Sequence, residues 1–255
     1  MKQIPNLFTL LNLVFGCVAI IYTLQNGIVI RSDPNTGAQW IDIPEKIWLA
    51  SLFIGLAAVV DFLDGFIARL FKAGSEMGEQ LDSLADLVSF GVAPAMIMYQ
   101  FLRLSWAQDV GALDVTIVLL LPALLLPCAA AYRLARFNLD ASQGFSFKGL
   151  PVPATGIFIG SLPLIYWNVN QKWVLDLLLN KWFLYAVIVV VSYLMVSTLP
   201  MMSLKFKDFT VKNNLVKYIL VGIAIASILI LKWLAAPVIF LAYIILSLTF
   251  KNKFT

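Results

Sequence analysis

Histidine is absent from this 255-residue chain. A general base must therefore be Asp, Glu, Lys, Tyr or Cys. A metal site must be built mainly from oxygen, which favours magnesium, manganese or calcium over zinc. Charge is scarce as well: only 13% of residues are Asp, Glu, Lys or Arg, about half the share usual in a soluble domain. Cysteine is limited to Cys17 and Cys128, both inside apolar runs, with no spacing that suggests a disulfide or a metal cluster. Internal repeats, low-complexity tracts and polar stretches long enough to fold alone are missing too. These absences exclude a histidine-based enzyme and argue against a zinc enzyme, a disulfide scaffold and a soluble globular domain.

What is present is apolar. Hydrophobic residues make up 61% of the chain, and the mean hydropathy is +0.91. A spanning helix needs about 20 mostly apolar residues. Spans are expected at about 7–24, 47–71, 82–104, 112–135, 152–171, 181–200, 214–231 and 233–250. The fold class is all-α, a polytopic transmembrane helix bundle of about eight spans. Only Lys232 and Pro237 punctuate the last two. A single integral-membrane domain over 1–255 is expected, with a core at about 4–207 and additional helices at about 214–250. No small-residue cleavage site follows the first apolar run, so it is read as a retained helix. Net charge is +4, but the basic residues sit mainly between apolar segments. They are about twice as numerous at the end that carries both termini, which places that end in the cytoplasm. The charge is thus a topology signal, and no nucleic-acid partner is expected. The tryptophans lie mostly at proposed helix ends, as an interfacial belt requires.

Against this background the stretch DFLDGFIARLFKAGSEMGEQLDSLADLVSF, residues 61–90, stands out. On the helix that starts at Ile47, Asp61, Asp64, Gly65 and Ala68 fall within an arc of about 100°. Arg69, at the edge of that face, can pair with phosphate oxygens. The next helix is expected to start near Gly78, and its Asp82 and Asp86 lie about 40° apart. Both helix ends adjoin one short turn, so the four carboxylates can converge at one membrane boundary. Carboxylates near lipid are costly and face an interior or a watery cavity. Four together repel one another unless protonated or neutralised. Two divalent cations would cancel four charges, and a metal pair about 4 Å apart is a known device for phosphoryl chemistry. Gly65, Ala68 and Gly78 would let a ligand or a second backbone come close. The plain alternative is a set of water-facing acids beside glycines that only pack helices. A divalent-cation transporter is a further one, opposed by the position of the acids near helix ends rather than mid-span.

The run Asp61-x2-Asp64-Gly65-x2-Ala68-Arg69-x8-Gly78-x3-Asp82-x3-Asp86 resembles the complete signature of the CDP-alcohol phosphatidyltransferase family. The resemblance implies transfer from a CDP-linked donor, usually CDP-diacylglycerol, to an alcohol, with release of CMP. It implies two divalent metal ions, magnesium or manganese with calcium as a further option, held by Asp61, Asp64, Asp82 and Asp86. By position Asp86 would be the general base. Asp61, Gly65, Ala68, Arg69, Gly78 and Asp82 would shape the cytidine and pyrophosphate pocket. The resemblance also suggests a homodimer, while compactness and the absence of targeting segments point to a bacterial inner membrane and the charge bias to an active site facing the cytoplasm.

Four further stretches bear on the acceptor: IPNLFTLLNLVFG (4–16), YRLARFN (132–138), FKGLPVPATG (147–156) and VSTLPMMSLKFK (196–207). Together they resemble the integral-membrane branch of the family whose acceptor is L-serine. Thr155-Gly156 departs from that branch, where small alanines are expected. A serine site near the bilayer needs a cation for the carboxylate. Arg133 and Arg136, three apart at a helix end, are candidates to bind that carboxylate or the donor phosphate; topological anchoring is the alternative. Asn6, Thr9 and Asn12 are candidates to touch the nucleotide or the donor headgroup, or to cap and pack the first helix. A glycerol phosphate or inositol phosphate acceptor would need a denser basic pocket, which Arg133, Arg136 and Lys148 could supply.

Overall fold

The computed structural model describes residues 4–25, 27, 29–34, 36–37, 39–70, 75–109, 115–139, 146–203 and 210–250. Helix α1 (Ile4–Gln25) leads to a small antiparallel hairpin, β1 (Val29–Ser32) and β2 (Gln39–Asp42), in register from Val29↔Asp42 to Ser32↔Gln39. Helix α2 (Trp48–Leu70) returns alongside α1, their most extensive partnership in the bundle. Helix α3 (Glu76–Asp86), a π turn (Leu87–Val92) and α4 (Ala93–Ala107) then form one continuous helical run.

Ser75 starts α3. Its backbone is extended, its hydroxyl accepts the Gly78 N–H at 3.1 Å, and Glu76 and Glu79 stand in the first turn. Ncap serine and first-turn acids both favour a helix start at this point. The helix thus begins two residues earlier than the expected Gly78.

The other half of the bundle is more broken. Two short 3-10 turns, Ile117–Leu119 and Leu121–Leu124, precede α5 (Leu125–Leu139). Strand β3 (Ser146–Lys148) pairs antiparallel with β4 (Pro200–Met202). Between them run α6 (Val152–Gly160), α7 (Leu162–Asn168), α8 (Lys172–Leu178) and α9 (Lys181–Val196). Helices α10 (Val211–Leu231) and α11 (Ala235–Thr249) follow and pack on each other.

By length and composition, four helical runs among the described residues can cross a membrane: Pro5–Gln25, Trp48–Ile67, Glu76–Ala107 and Asn214–Thr249. The pair α8 and α9, bent by 64°, adds a fifth if counted as one span. The eight continuous spans expected from hydropathy are therefore not all present as long helices. Proline explains much of the difference, because it lacks an N–H and its ring clashes with the carbonyl four residues back. Pro122 lies in the 3-10 segment where the span 112–135 was expected, and Pro163 opens α7 after a break at Ser161. The last 36-residue run would measure about 54 Å as one straight helix, far beyond a hydrocarbon core of about 30 Å. It is divided at Lys232, whose φ is 50°. The expected boundary between the last two spans falls there.

The main core is assembled around the helix carrying the π turn. Phe90, Ile97, Met98 and Phe101 are all but fully buried. Close approach is enforced by glycine. A Cβ at Gly16 would lie 2.8 Å from the Ser89 Cα, and one at Gly156 would lie 2.8 Å from the Phe90 Cα. Gly91 in turn packs against Ala130, at 3.1 Å from where its own Cβ would be. The π turn is thus gripped by α1, α5 and α6. Gly156, the departure from alanine noted in the sequence, is required by Phe90.

Candidate active site

Helices α2 and α3 bring the aspartates together as their spacing predicts. Carboxylate oxygens of Asp61, Asp64 and Asp82 all lie within 4.8 Å of one another. Asp86 is one turn beyond Asp82, in side-chain contact with Asp61 and in electrostatic contact with all three. Asp64 and Asp86 are buried; Asp61 and Asp82 are half-buried.

Helix α1 supplies the neutral donors. The Thr9 hydroxyl donates to Asp64 Oδ2 at 2.9 Å, and the Asn12 Nδ2 donates to Asp86 Oδ1 at 3.2 Å. Ser89, in the π turn, donates through its hydroxyl to the Asn12 carbonyl at 3.0 Å. The site thus has three walls, from α1, α2 and the α3–π run. Ser89 was not a sequence candidate; its only signal was a lone hydroxyl in an apolar run. Thr9 and Asn12 were candidates for nucleotide contact, and their hydrogen bonds go to the carboxylates.

The electrostatics are unfavourable as they stand. Two unit charges about 5 Å apart repel by about 3 kcal/mol at an effective dielectric of about 20. Three such pairs reach about 10 kcal/mol, comparable with the whole stability of a typical domain. Thr9 and Asn12 donate hydrogen bonds but bring no charge. Among the described residues, no ion pair involves Asp61, Asp64, Asp82 or Asp86. Asp82 Oδ1 is buried and has no hydrogen-bond partner among them. A converging set of hard oxygen donors with an unsatisfied buried oxygen fits a hard divalent cation.

The remaining sequence candidates divide. Gly65 borders open space: among the described residues, and apart from its chain neighbours and its own helix backbone, no heavy atom lies within 4 Å of where its Cβ would sit. Gly78 faces α1, where its Cβ would come 3.2 Å from Asn6 Oδ1. Ala68 and Arg69 lie in the last turn of α2, and their side chains fall outside the described residues.

Arg133 and Arg136 end in different environments. Arg136 donates to the carbonyls of Val196 at 2.7 Å, Ser197 at 2.8 Å and Lys148 at 3.1 Å. It thereby closes the C-terminus of α9 against the two-stranded β3–β4 sheet. Gly149, with φ of 81°, allows this approach, since a Cβ there would lie 2.5 Å from the Met195 carbonyl. Arg133 is buried, and its Nε has no partner among the described residues. Its electrostatic neighbours are Tyr243, Arg136 and Asp86.

Comparison with known proteins identifies the family. The model of the CDP-alcohol phosphatidyltransferase family matches residues 2–193. A CDP-diacylglycerol–serine O-phosphatidyltransferase of Helicobacter pylori (strain 26695) is 31% identical over 229 residues, covering 89% of this chain and 81% of that protein. The protein of that description from Mycobacterium leprae is 32% identical over 202 residues, 76% of this chain, and the match spans 63% of the mycobacterial protein's length. The one from Bacillus subtilis is 32% identical over 166 residues, 65% of this chain and 78% of its own.

Proposed function

The chain belongs to the CDP-alcohol phosphatidyltransferase family, and we propose that it transfers the phosphatidyl group of CDP-diacylglycerol to the hydroxyl of L-serine, giving phosphatidylserine and CMP. The observation that carries the reading is the meeting of Asp61, Asp64 and Asp82 within 4.8 Å, with Asp86 beside them and no ion pair to any of the four among the described residues. The names of the relatives supply the donor and the acceptor.

Asp61, Asp64, Asp82 and Asp86 would hold divalent metal, two ions per site, magnesium or manganese or calcium. Bound there, metal would neutralise charge on the pyrophosphate and on the departing CMP. Asp86 accepts the serine hydroxyl proton while the serine oxygen bonds to the phosphorus that bears diacylglycerol. The bond from that phosphorus to the CMP oxygen breaks, and CMP carries the electron pair away. A carboxylate is a weak base for an alcohol, so the proton moves late, as phosphorus–oxygen bonding acidifies the hydroxyl. Asn12 holds the Asp86 carboxylate by one oxygen, and Thr9 does the same for Asp64. Gly65 and Gly78, with Ala68 and Arg69 from the family signature, would form the cytidine and pyrophosphate pocket.

Arg133 is assigned to the serine carboxylate. Its buried Nε, without a hydrogen-bond partner among the described residues, supports this, whereas Arg136 already serves three backbone carbonyls. The reading extends to a single membrane domain that works as a homodimer in a bacterial inner membrane, with the acid cluster facing the cytoplasm.

The test is CMP release from CDP-diacylglycerol by purified protein in detergent with manganese or magnesium. Serine, glycerol phosphate, inositol, inositol phosphate and water are supplied separately. Release with serine alone, abolished by chelator, is the expected result. Release with another acceptor replaces serine and keeps the chemistry; no release with any acceptor rejects the transferase reading.

A further inference from the structure

Asn12 of α1 is held at two points by the helical run that carries Asp86. Its side-chain Nδ2 donates to Asp86 Oδ1 at 3.2 Å, and its backbone carbonyl accepts the Ser89 hydroxyl at 3.0 Å. Asp86 is the last residue of α3, and Ser89 stands three residues on, in the π turn. Residues three apart on a helix are neighbours on its surface, so both can meet one residue of α1. Asn12 and Ser89 are fully buried. The three residues form a closed bracket: Ser89 grips the backbone of the residue whose side chain holds Asp86.

The two arms of the bracket differ. The Asn12 Oδ1 is buried and has no hydrogen-bond partner among the described residues. The direction of the amide therefore depends on where the Asn12 backbone stands, and the Ser89 bond sets that place. A buried hydroxyl in a helix can satisfy itself on its own helix: Thr23 donates to the Ala19 carbonyl four residues back, at 2.8 Å. Ser89 crosses to α1 instead. The carbonyl it meets is one that a regular helix already pairs with the N–H of residue 16; its oxygen has lone pairs for both. The bond thus rescues no stranded group on α1. What it adds is location. Gly16 permits the crossing, since a Cβ there would lie 2.8 Å from the Ser89 Cα, and the two backbones approach with no side chain of residue 16 between them.

We propose that Ser89 is a positioning residue: its hydroxyl fixes Asn12 in place, so that the Asn12 amide holds the Asp86 carboxylate toward the reacting hydroxyl. The inference rests on Asp86 as the base of the proposed transfer. It extends the determinants of turnover past the signature, which ends at Asp86, into the π turn.

A double-mutant cycle tests it. CMP release is measured with both substrates varied, for the full-length protein, Ser89→Ala, Asn12→Leu and the double variant, with melting temperatures alongside. Ser89→Ala is expected to lower kcat about tenfold and to leave both KM values within about twofold. In the Asn12→Leu background the same change is expected to alter kcat by less than about twofold, because the amide through which Ser89 acts is gone. An unchanged kcat in Ser89→Ala overturns the proposal. So does a tenfold loss that persists in the Asn12→Leu background, which would trace the effect to loosened helix packing. Should Asn12→Leu fail to fold, Asn12→Ala takes its place in the cycle. A parent protein that releases no CMP with any acceptor rejects the transferase reading, and the proposal with it; an active parent with either of the overturning results rejects the proposal alone.

Discussion

The two ends of the bundle treat their acids in opposite ways. At the hairpin end, Asp42 accepts from Arg31 at 3.1 Å, from the Tyr166 hydroxyl at 2.7 Å and from the Ile43 N–H at 2.8 Å. Asp109 pairs with Lys181, whose ammonium also sits 3.9 Å from the Trp106 ring centroid. At the far end of the same helices, Asp64 accepts from a threonine hydroxyl and Asp86 from an asparagine amide, and among the described residues neither has an ion pair. The sequence has cations enough, and it uses them where acids are structural. Where four acids meet, their polar neighbours among the described residues orient the carboxylates without supplying a counter-charge. The difference separates a charge that the fold satisfies from one that the proposed function would use to hold a ligand.

The sharpest break of this comparison is at Asp86. Asp86→Asn should lower turnover by about a thousandfold while the protein still binds CDP-diacylglycerol with metal, since a positioned base contributes about 10²–10⁴. A variant that stays fully active removes Asp86 from the chemistry. Next come the two arginines. Arg133→Ala should raise the acceptor KM by about tenfold or more, and Arg136→Ala should leave it near the parent value while lowering the melting temperature. Reversed phenotypes would exchange their roles. A third test opposes the two ends directly. In metal-free protein Asp82→Asn should raise the melting temperature by relieving repulsion, and Asp42→Asn should lower stability by about 1–2 kcal/mol, discounted because Arg31 is partly exposed. Equal signs in thermal unfolding would show that the cluster is not under charge strain. The smallest effect is expected at Lys181→Met, about 0.5 kcal/mol for an exposed pair, with no change in activity.

Much of the site was legible before any coordinates. Helical spacing placed Asp61 with Asp64 and Asp82 with Asp86, and the short connection forced the two pairs to one end. The resemblance to the family signature fell on the same residues. Arg133 and Arg136 were not separable in that way, because three residues' spacing leaves them on one helix face. Their roles diverge through tertiary partners: the end of α9 and the glycine turn at Gly149 capture one and leave the other. The span count was harder for a related reason. Hydropathy registers apolar length, whereas Pro122, Pro163 and Lys232 act on backbone geometry.

The π turn has a consequence for register. The Ala93 N–H donates to the Val88 carbonyl five residues back, so the run from Glu76 to Ala107 contains a wide turn inside an otherwise regular helix. Such a turn acts as a phase shifter, offsetting the angular pattern downstream by about one residue, or about 100°. The acidic face of α3 and the buried face of α4 are therefore written in two different phases on one rod. Deleting a single residue from 87–92 would restore uniform pitch and swing Asp82 and Asp86 away from Asp61 and Asp64 while α4 kept its seat. The spacing of two chemically unlike halves of one helix is thus itself part of what the active site encodes.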